Sequence, residues 1–227
     1  TSLVGFAVRA APDHPSAPEW WEALGFAHGW LAEETDSAAE YSTAIACSFT
    51  AMSMPQAPPE VVERAAMEAA HLTGSLLHLG NQAQDVTKER ARQLITALDG
   101  ISPSWTDALD ANRFACEQAR ALLWSYPLTD DVADLERAAG LLRHALSEPV
   151  LADEEDDCVD EWEMFSLVLE ELYVQGGDLA VLNEALGAAM RVCELLPEDH
   201  EWLPQAHGVA AGMANEIFWN SDGEDRK

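Results

Sequence analysis

The chain has 227 residues, of which 41 are acidic and 12 are basic, so its formal net charge at pH 7 is −29. A surface this acidic repels the phosphates of nucleic acids and of anionic lipid headgroups, which argues against nucleic-acid binding and against membrane-surface binding. Hydrophobic residues make up 48% of the chain, which is too many for a disordered segment and enough for a domain with a buried core.

Nine amphipathic segments follow one another along the chain, and no segment alternates with the period of two that is typical of a strand. Five segments form a first set, called A: residues 18–34, 59–80, 104–126, 160–177 and 201–220. Four segments between them form a second set, called B: residues 41–52, 88–98, 135–146 and 182–193. Apolar residues recur in the B segments at i, i+3, i+4 and i+7, which predicts helices with one buried stripe. The predicted fold class is all-α.

Local signals predict where several of these helices begin and end. Pro59 suits the first turn of a helix, where its missing N–H costs nothing. Ser104 and Asp160 are candidate N-caps of the third and fourth A helices. The last two B helices each follow an Asp, and the pair Gly176-Gly177 ends the fourth A helix.

The B segments repeat at a constant spacing. Their matched alanines stand 47 residues apart, at Ala44, Ala91, Ala138 and Ala185. Small residues at 44/46, 138/140 and 185/187 predict close approach of a neighbouring helix. A single A–B hairpin cannot cover its own apolar face, so the period predicts an α-solenoid of about four stacked helical hairpins.

The two ends of the chain resemble parts of a repeat. Residues 2–20 look like the end of a B helix, a loop and the start of the next A helix, as residues 190–203 do. Residues 218–225 resemble the A-to-B turn at 30–39. We therefore expect partial repeats at both ends, and a single helical-repeat domain over residues 1–227 that is a segment of a longer protein.

Residues 24–46 and 172–192 resemble degenerate tetratricopeptide (TPR) repeats of the elongated kind found in large actinomycete proteins. Three features carry the resemblance: the turns at 35–36, 129–131 and 176–178, the leucines Leu135 and Leu182, and the loops PDHP (12–15) and PEDH (197–200). Residues 53–127 match weakly. By length alone a 47-residue unit fits HEAT repeats, since TPR units have ~34 residues and HEAT units ~40–47. The Thr/Gly-Asp turn favours the TPR-like interpretation.

The resemblance implies a superhelical scaffold whose concave face, lined mainly by A helices, holds a peptide or a partner domain. Many relatives carry such arrays beside a caspase-like (CHAT) protease domain or a nucleotide-binding switch domain. The expected partners are therefore a protein or peptide, basic in view of the net charge, or adjoining domains of the parent protein. An array that only spaces the domains of its parent is a further interpretation.

The central A segment holds the residues expected to bind a partner. Asn112, Arg113, Glu117 and Arg120 form a polar band, and Trp124 follows it. The eight tryptophans lie near the ends of the A segments, where packing between repeats is the simplest expectation for them.

An acidic run supports an alternative function. Asp153, Asp156 and Asp157 could hold Mg²⁺ and a diphosphate, as the Asp-rich motif of all-α terpene cyclases does, which would make the chain a metal-dependent enzyme using residues 153–157. The second metal motif of such enzymes is not evident, and charge runs usually form solvated loops. The seven histidines form no HExxH or HxH pair, and no GxSxG, Walker or GxGxxG motif occurs. We expect no enzymatic activity, no cofactor and no metal.

The cysteines indicate the compartment. None of the four forms a CxxC pair, and Cys47, Cys116 and Cys193 fall within apolar helical patterns, where a cysteine acts as a small buried hydrophobe. Reduced thiols, and the lack of an apolar run near the ~18 residues of a membrane span, predict a cytoplasmic protein. The abundance of Ala and scarcity of Lys suggest a GC-rich, bacterial genome.

Overall fold

The structure is a computed structural model that describes residues 11, 13–83, 86–148 and 158–221. Within these ranges every regular element is an α-helix, which confirms the all-α prediction. The helices are α1 (Ala17–Thr35), α2 (Ala38–Ser53), α3 (Pro59–Ala83), α4 (Lys88–Asp99), α5 (Ala108–Thr129), α6 (Val132–Ser147), α7 (Val159–Gly176), α8 (Leu179–Leu195) and α9 (Leu203–Ser221). Odd-numbered helices correspond to the A segments and even-numbered helices to the B segments. None of these helices combines the length and the apolar character that crossing a bilayer requires.

The chain divides into two compact units, Thr1–Asp130 and Asp131–Lys227. Unit 1 contains α1 to α5, and unit 2 contains α6 to α9. In unit 1 consecutive helices pack on each other, and α3 also packs along α5 and, over a smaller area, along α1. In unit 2, α6 packs on α7, α7 on α8 and α8 on α9.

The 47-residue period is visible in the burial of the B helices. None of the four matched alanines, at 44, 91, 138 and 185, has any exposed surface. Two further sets with the same spacing are at most 6% exposed: residues 48, 95, 142 and 189, and residues 51, 98, 145 and 192. The three positions of each helix follow at steps of four and three residues, so they form one buried stripe.

The helix pairs α1–α2 and α7–α8 meet at equivalent positions. A Cβ atom at Gly25 would lie 3.3 Å from the carbonyl oxygen of Ala44. Three periods later the hydroxyl of Ser166 donates a hydrogen bond to the carbonyl oxygen of Ala185, over 3.3 Å. In both pairs a small residue of the A helix therefore faces the buried alanine of the B helix, which lets the two backbones approach closely.

Side chains cap the start of every B helix. Ser37 and Thr87 accept a hydrogen bond from the backbone N–H three residues later. Asp131 and Asp178, which the sequence places directly before their helices, accept from the N–H two residues later. A cap of this kind contributes about 1 kcal/mol to stability. Gly177 ends α7 with a φ of 69°, in the left-handed region that a glycine adopts without strain.

Two of the predicted caps are wrong. The helix α5 begins after Asp107, whose carboxylate accepts from the N–H of Leu109 over 2.8 Å, and Ser104 lies outside it. The reason is a contact with α3: the carboxylate of Glu63 accepts from the N–H and the hydroxyl of Thr106, which fixes the segment before the helix. Asp160 lies inside the first turn of α7 and not at its N-cap position.

The prediction of close approach at the second small position is also wrong. A Cβ atom at Gly140 or at Gly187 would meet nothing within 4 Å, and both residues are exposed. Close approach occurs instead on α1, where a Cβ atom at Gly29 would lie 2.8 Å from a carboxylate oxygen of Glu68 and 3.2 Å from Leu72. Gly29 thereby allows α1 and α3 to pack together.

Two substitutions on α8 test this packing. We expect Ala185→Leu to lower the free energy of unfolding by about 1–3 kcal/mol, because extra methylenes do not fit at a fully buried helix contact. The matched control, Gly187→Ala, should raise it by about 0.5–1 kcal/mol, because this exposed helical position has room for a Cβ atom. Urea unfolding of both variants measures the difference. An Ala185→Leu variant as stable as the original chain would contradict the proposed role of the alanine.

Candidate functional site

Four of the five residues expected to bind a partner share one face of α5. Arg113, Glu117, Arg120 and Trp124 follow at steps of four, three and four residues, which places them along one side of the helix. All four are exposed or half-buried. Asn112 is only 7% exposed, so its side chain belongs to the interior of unit 1 and not to this face.

His71, near the middle of α3, connects this face to α1. Its Nε2 atom lies 3.2 Å from Oε1 of Glu33 on α1, and its Nδ1 atom lies 3.4 Å from Oε2 of Glu117 on α5. Arg120 approaches the other oxygen of Glu117, with an Nη1–Oε1 distance of 3.2 Å. Acidic and basic groups therefore alternate across three neighbouring helices.

The carboxylates around His71 change its protonation. They raise its pKa from 6.5 to about 8, chiefly through the hydrogen bond and charge of Glu117, with a further contribution from Glu33. Burial and the positive charge of Arg120 act in the opposite direction. The ring is thus protonated at neutral pH and can donate to both carboxylates. On the same helix, burial raises the pKa of Glu68, and the charge of His71 partly offsets this rise.

Further polar contacts tie α3 to its two neighbours. Arg64 forms a two-pronged ion pair with Glu22 of α1, with N–O distances of 2.5 and 3.0 Å. The side-chain amide of Asn81 donates to the carbonyl oxygen of Trp124 over 2.7 Å. The ring of His78 lies 4.2 Å from that of Trp124, centre to centre. The relative positions of α1, α3 and α5 are therefore held at several points along their length.

Two aromatic side chains of α1 protrude beside these contacts. Phe26 is 66% exposed and Trp30 is 62% exposed. Phe26 follows Glu22 by four residues and precedes Glu33 by seven, so it points to the same side of α1 as these two carboxylates. Exposed aromatic residues and arginines are enriched in protein interfaces. Together these side chains form what we call the unit-1 surface: Phe26, Trp30, Glu33, His71, Arg113, Glu117, Arg120 and Trp124.

The sequence analysis missed the α1 and α3 parts of this surface. His71 and His78 do not stand out in the sequence, because they belong to no HExxH or HxH pair. In the structure they have different neighbours, the carboxylates at 33 and 117 in one case and Trp124 in the other. The sequence does contain a pattern that matches this surface: three A segments carry a polar or aromatic residue at every third or fourth position. These residues form one surface only when the three helices lie side by side.

The remaining candidate chemistry concerns the acidic run 153–157 and the cysteines. The acidic run 153–157, with Asp153, Asp156 and Asp157, lies outside the described residues. Within the described residues, no group of three or more His, Cys, Asp or Glu side chains is arranged to hold a metal ion. Cys47 and Cys116 are buried and Cys193 is half-buried, and burial raises the pKa of Cys47 to about 11. A thiol that remains protonated at neutral pH is a poor nucleophile.

Comparisons with known proteins add no further constraint. No family model matches the chain, and no curated protein or solved structure is significantly similar to it. The function must therefore be argued from the surfaces that the structure presents.

The raised pKa of His71 predicts a pH-dependent stability. The pKa of His71 is higher in the folded chain than its ordinary value of 6.5, so the folded chain binds the proton more tightly than the unfolded chain. This difference stabilises the fold fully below pH 6.5, and the stabilisation is lost as the pH rises through about 8. The side chain is 38% exposed and solvent screens its charge, so we expect His71 to contribute about 1 kcal/mol to the free energy of unfolding. Urea unfolding at about pH 6 and pH 9 should show this loss in the original chain and not in His71→Gln.

The control for this experiment is His207→Gln, which changes an exposed histidine of α9 and should leave the pH dependence unaltered. An NMR titration in which the ring of His71 has a pKa at or below 6.5 would contradict the proposed pairing with Glu117.

Proposed function

We propose that the chain is a non-enzymatic scaffold for protein–protein interaction, built as a TPR-like α-solenoid of about four helical hairpins. The support is the alternation of A and B helices, the packing of successive helices within each unit, and the buried positions that recur every 47 residues. Repeats of this kind bury their apolar faces against their neighbours and leave extended surfaces for binding.

We propose that a partner protein or peptide binds the unit-1 surface. The observation that carries this proposal is the exposure of Phe26 and Trp30 beside a network that ties α1, α3 and α5 together. Aromatic side chains on a fixed support make effective binding anchors, because little conformational entropy is lost when a partner covers them.

The charge of the chain favours a basic partner. A net charge of −29 attracts cations at long range and accelerates their association. Close to Phe26 and Trp30 the unit-1 surface presents Glu33, whereas its α5 side carries Arg113 and Arg120. We propose that the partner places an apolar side chain against α1 and that its Lys or Arg residues lie next to this apolar side chain.

Adjoining domains of a parent protein in the cytoplasm are natural candidates for the partner. If the array served only as a spacer between domains, the two aromatic residues of α1 would make no contribution to any binding. The same experiment therefore separates a binding scaffold from a spacer.

Selection of displayed random peptides against the immobilised full chain tests the proposal. We expect selected peptides to combine Lys or Arg with an aromatic or aliphatic residue. The double variant Phe26→Ser/Trp30→Ser should weaken their binding by about 30-fold or more, the loss of one strong anchor. Calorimetry in ~0.05 M and ~0.5 M salt should show weaker binding at the higher salt concentration.

The matched control is Val174→Ser/Met190→Ser, which removes two exposed apolar side chains from unit 2 and should leave binding unchanged. Peptides without basic residues, or peptides whose affinity is the same for both double variants, would contradict the proposal.

A further inference from the structure

A cleft opens in unit 2 between the N-terminal halves of α7 and α9. Towards their C-terminal ends the two helices are joined, because the hydroxyl of Tyr173 donates to Glu216 and accepts from Asn220, each over 3.3 Å. Nearer the middle, the hydroxyl of Ser166 lies 4.0 Å from the sulfur of Met213. The cleft lies on the N-terminal side of this contact and is closed at its base by the C-terminal half of α8.

Two adjoining cavities, of about 320 and 480 Å³, make up the cleft and share Val159, Leu196 and Trp202. Their volumes fall within the range of ligand pockets in proteins. The other large apolar residues of the smaller cavity are Leu167, Val192 and Val209. The cleft is therefore lined mainly by aliphatic side chains and one tryptophan.

Several apolar side chains at this cleft remain in contact with water. Leu167, Trp202 and Val209 are all exposed. Removing apolar surface from water lowers the free energy, so covering these side chains would be favourable.

The charged residues at the cleft all have one sign. Glu163 lines the smaller cavity and Asp160 the larger, and both are exposed. Among the residues that the structure describes, neither carboxylate forms an ion pair or hydrogen bond, and the lining of the two cavities includes His200 but no Lys or Arg. The cleft thus combines an apolar interior with unneutralised carboxylates, which is complementary to a ligand that is both apolar and cationic.

We propose that this cleft binds a cationic amphipathic peptide segment of a partner protein. An apolar side chain of the segment fills the cavity beside Trp202, and Lys or Arg residues of the segment pair with Asp160 and Glu163. The cleft lies in unit 2, and its binding is independent of the unit-1 surface.

Binding of a synthetic amphipathic Leu/Lys helix to the full chain tests the proposal, with a Leu/Glu peptide of the same pattern as the comparison. We expect the Leu/Lys peptide to bind at ~0.15 M salt and the Leu/Glu peptide not to bind. Leu167→Glu and Val209→Glu should each weaken binding of the Leu/Lys peptide at least tenfold. Both changes add a negative charge, so simple charge attraction would strengthen binding, and a weaker complex identifies the apolar contact.

Matched controls separate the cleft from the rest of the acidic surface. Val174→Glu makes the same change at an exposed residue of α7 outside the cleft and should leave the affinity within about twofold. Glu163→Gln should weaken binding about two- to fivefold, whereas Glu136→Gln, at an exposed position on α6, should have no effect. Circular dichroism and urea unfolding verify that each variant is folded.

Three results would overturn the proposal. The first is unchanged binding of the Leu/Lys peptide to Leu167→Glu and Val209→Glu. The second is binding that Phe26→Ser/Trp30→Ser abolishes and Leu167→Glu does not, which would place the peptide on the unit-1 surface. The third is light scattering that detects a dimer of the original chain and a monomer of Leu167→Glu without peptide, which would make the cleft a contact between two copies.

Discussion

The fully buried alanines of the B helices are the constraint on which the rest of the structure depends. A methyl group at these positions lets the paired A helix approach closely, and the A helix responds with a small residue of its own, as at Gly25 and Ser166. A contact made of small side chains has little room for aromatic ones. Phe26 of α1 and Trp202, just before α9, lie outside these contacts and are exposed, whereas Phe114 and Phe165 of other A helices are buried.

The excess of acidic residues gives the few basic ones a particular use. Arg64 joins α3 to Glu22 of α1, Arg143 joins α6 to Glu184 of α8, and His71 lies between carboxylates of two other helices. Each pair is at least partly exposed to solvent and contributes about 1 kcal/mol or less, but a two-pronged or bridging pair restricts how neighbouring helices slide past each other. With 41 acidic residues against 12 basic ones, most carboxylates have no Lys or Arg to pair with, and together they produce a negative field that would favour the cationic partner proposed above.

Features set by neighbouring residues could be predicted from the sequence, whereas features set by distant residues could not. The positions of the helices, the caps at Asp131 and Asp178, and the buried alanines all follow from patterns within one turn or from a fixed period. The start of α5 did not, because Glu63, which fixes the preceding segment, is 43 residues away from Thr106. The surroundings of His71 come from residues 38 positions before it and 46 after it. On α5, a rotation of about 100° about the helix axis separates buried Asn112 from exposed Arg113. The sequence therefore predicts that one side of the helix is polar, but not which residue at the edge of that side is buried.

The two candidate binding surfaces differ because neighbouring A helices are joined differently in them. In unit 1, Gly29 and a series of polar contacts hold α1 and α3 together without a gap. Apolar side chains that do not fit between the two helices, such as Phe26, protrude from the surface. In unit 2 the contacts between α7 and α9 lie towards their C-terminal ends, and the apolar residues between their N-terminal halves line an open cleft. Where two A helices pack without a gap, a partner must cover a protruding side chain. Where a gap remains between them, a partner must fill a cavity. The same repeated helix pair can therefore present two kinds of binding surface, and which kind it presents depends on where polar side chains tie its A helices together.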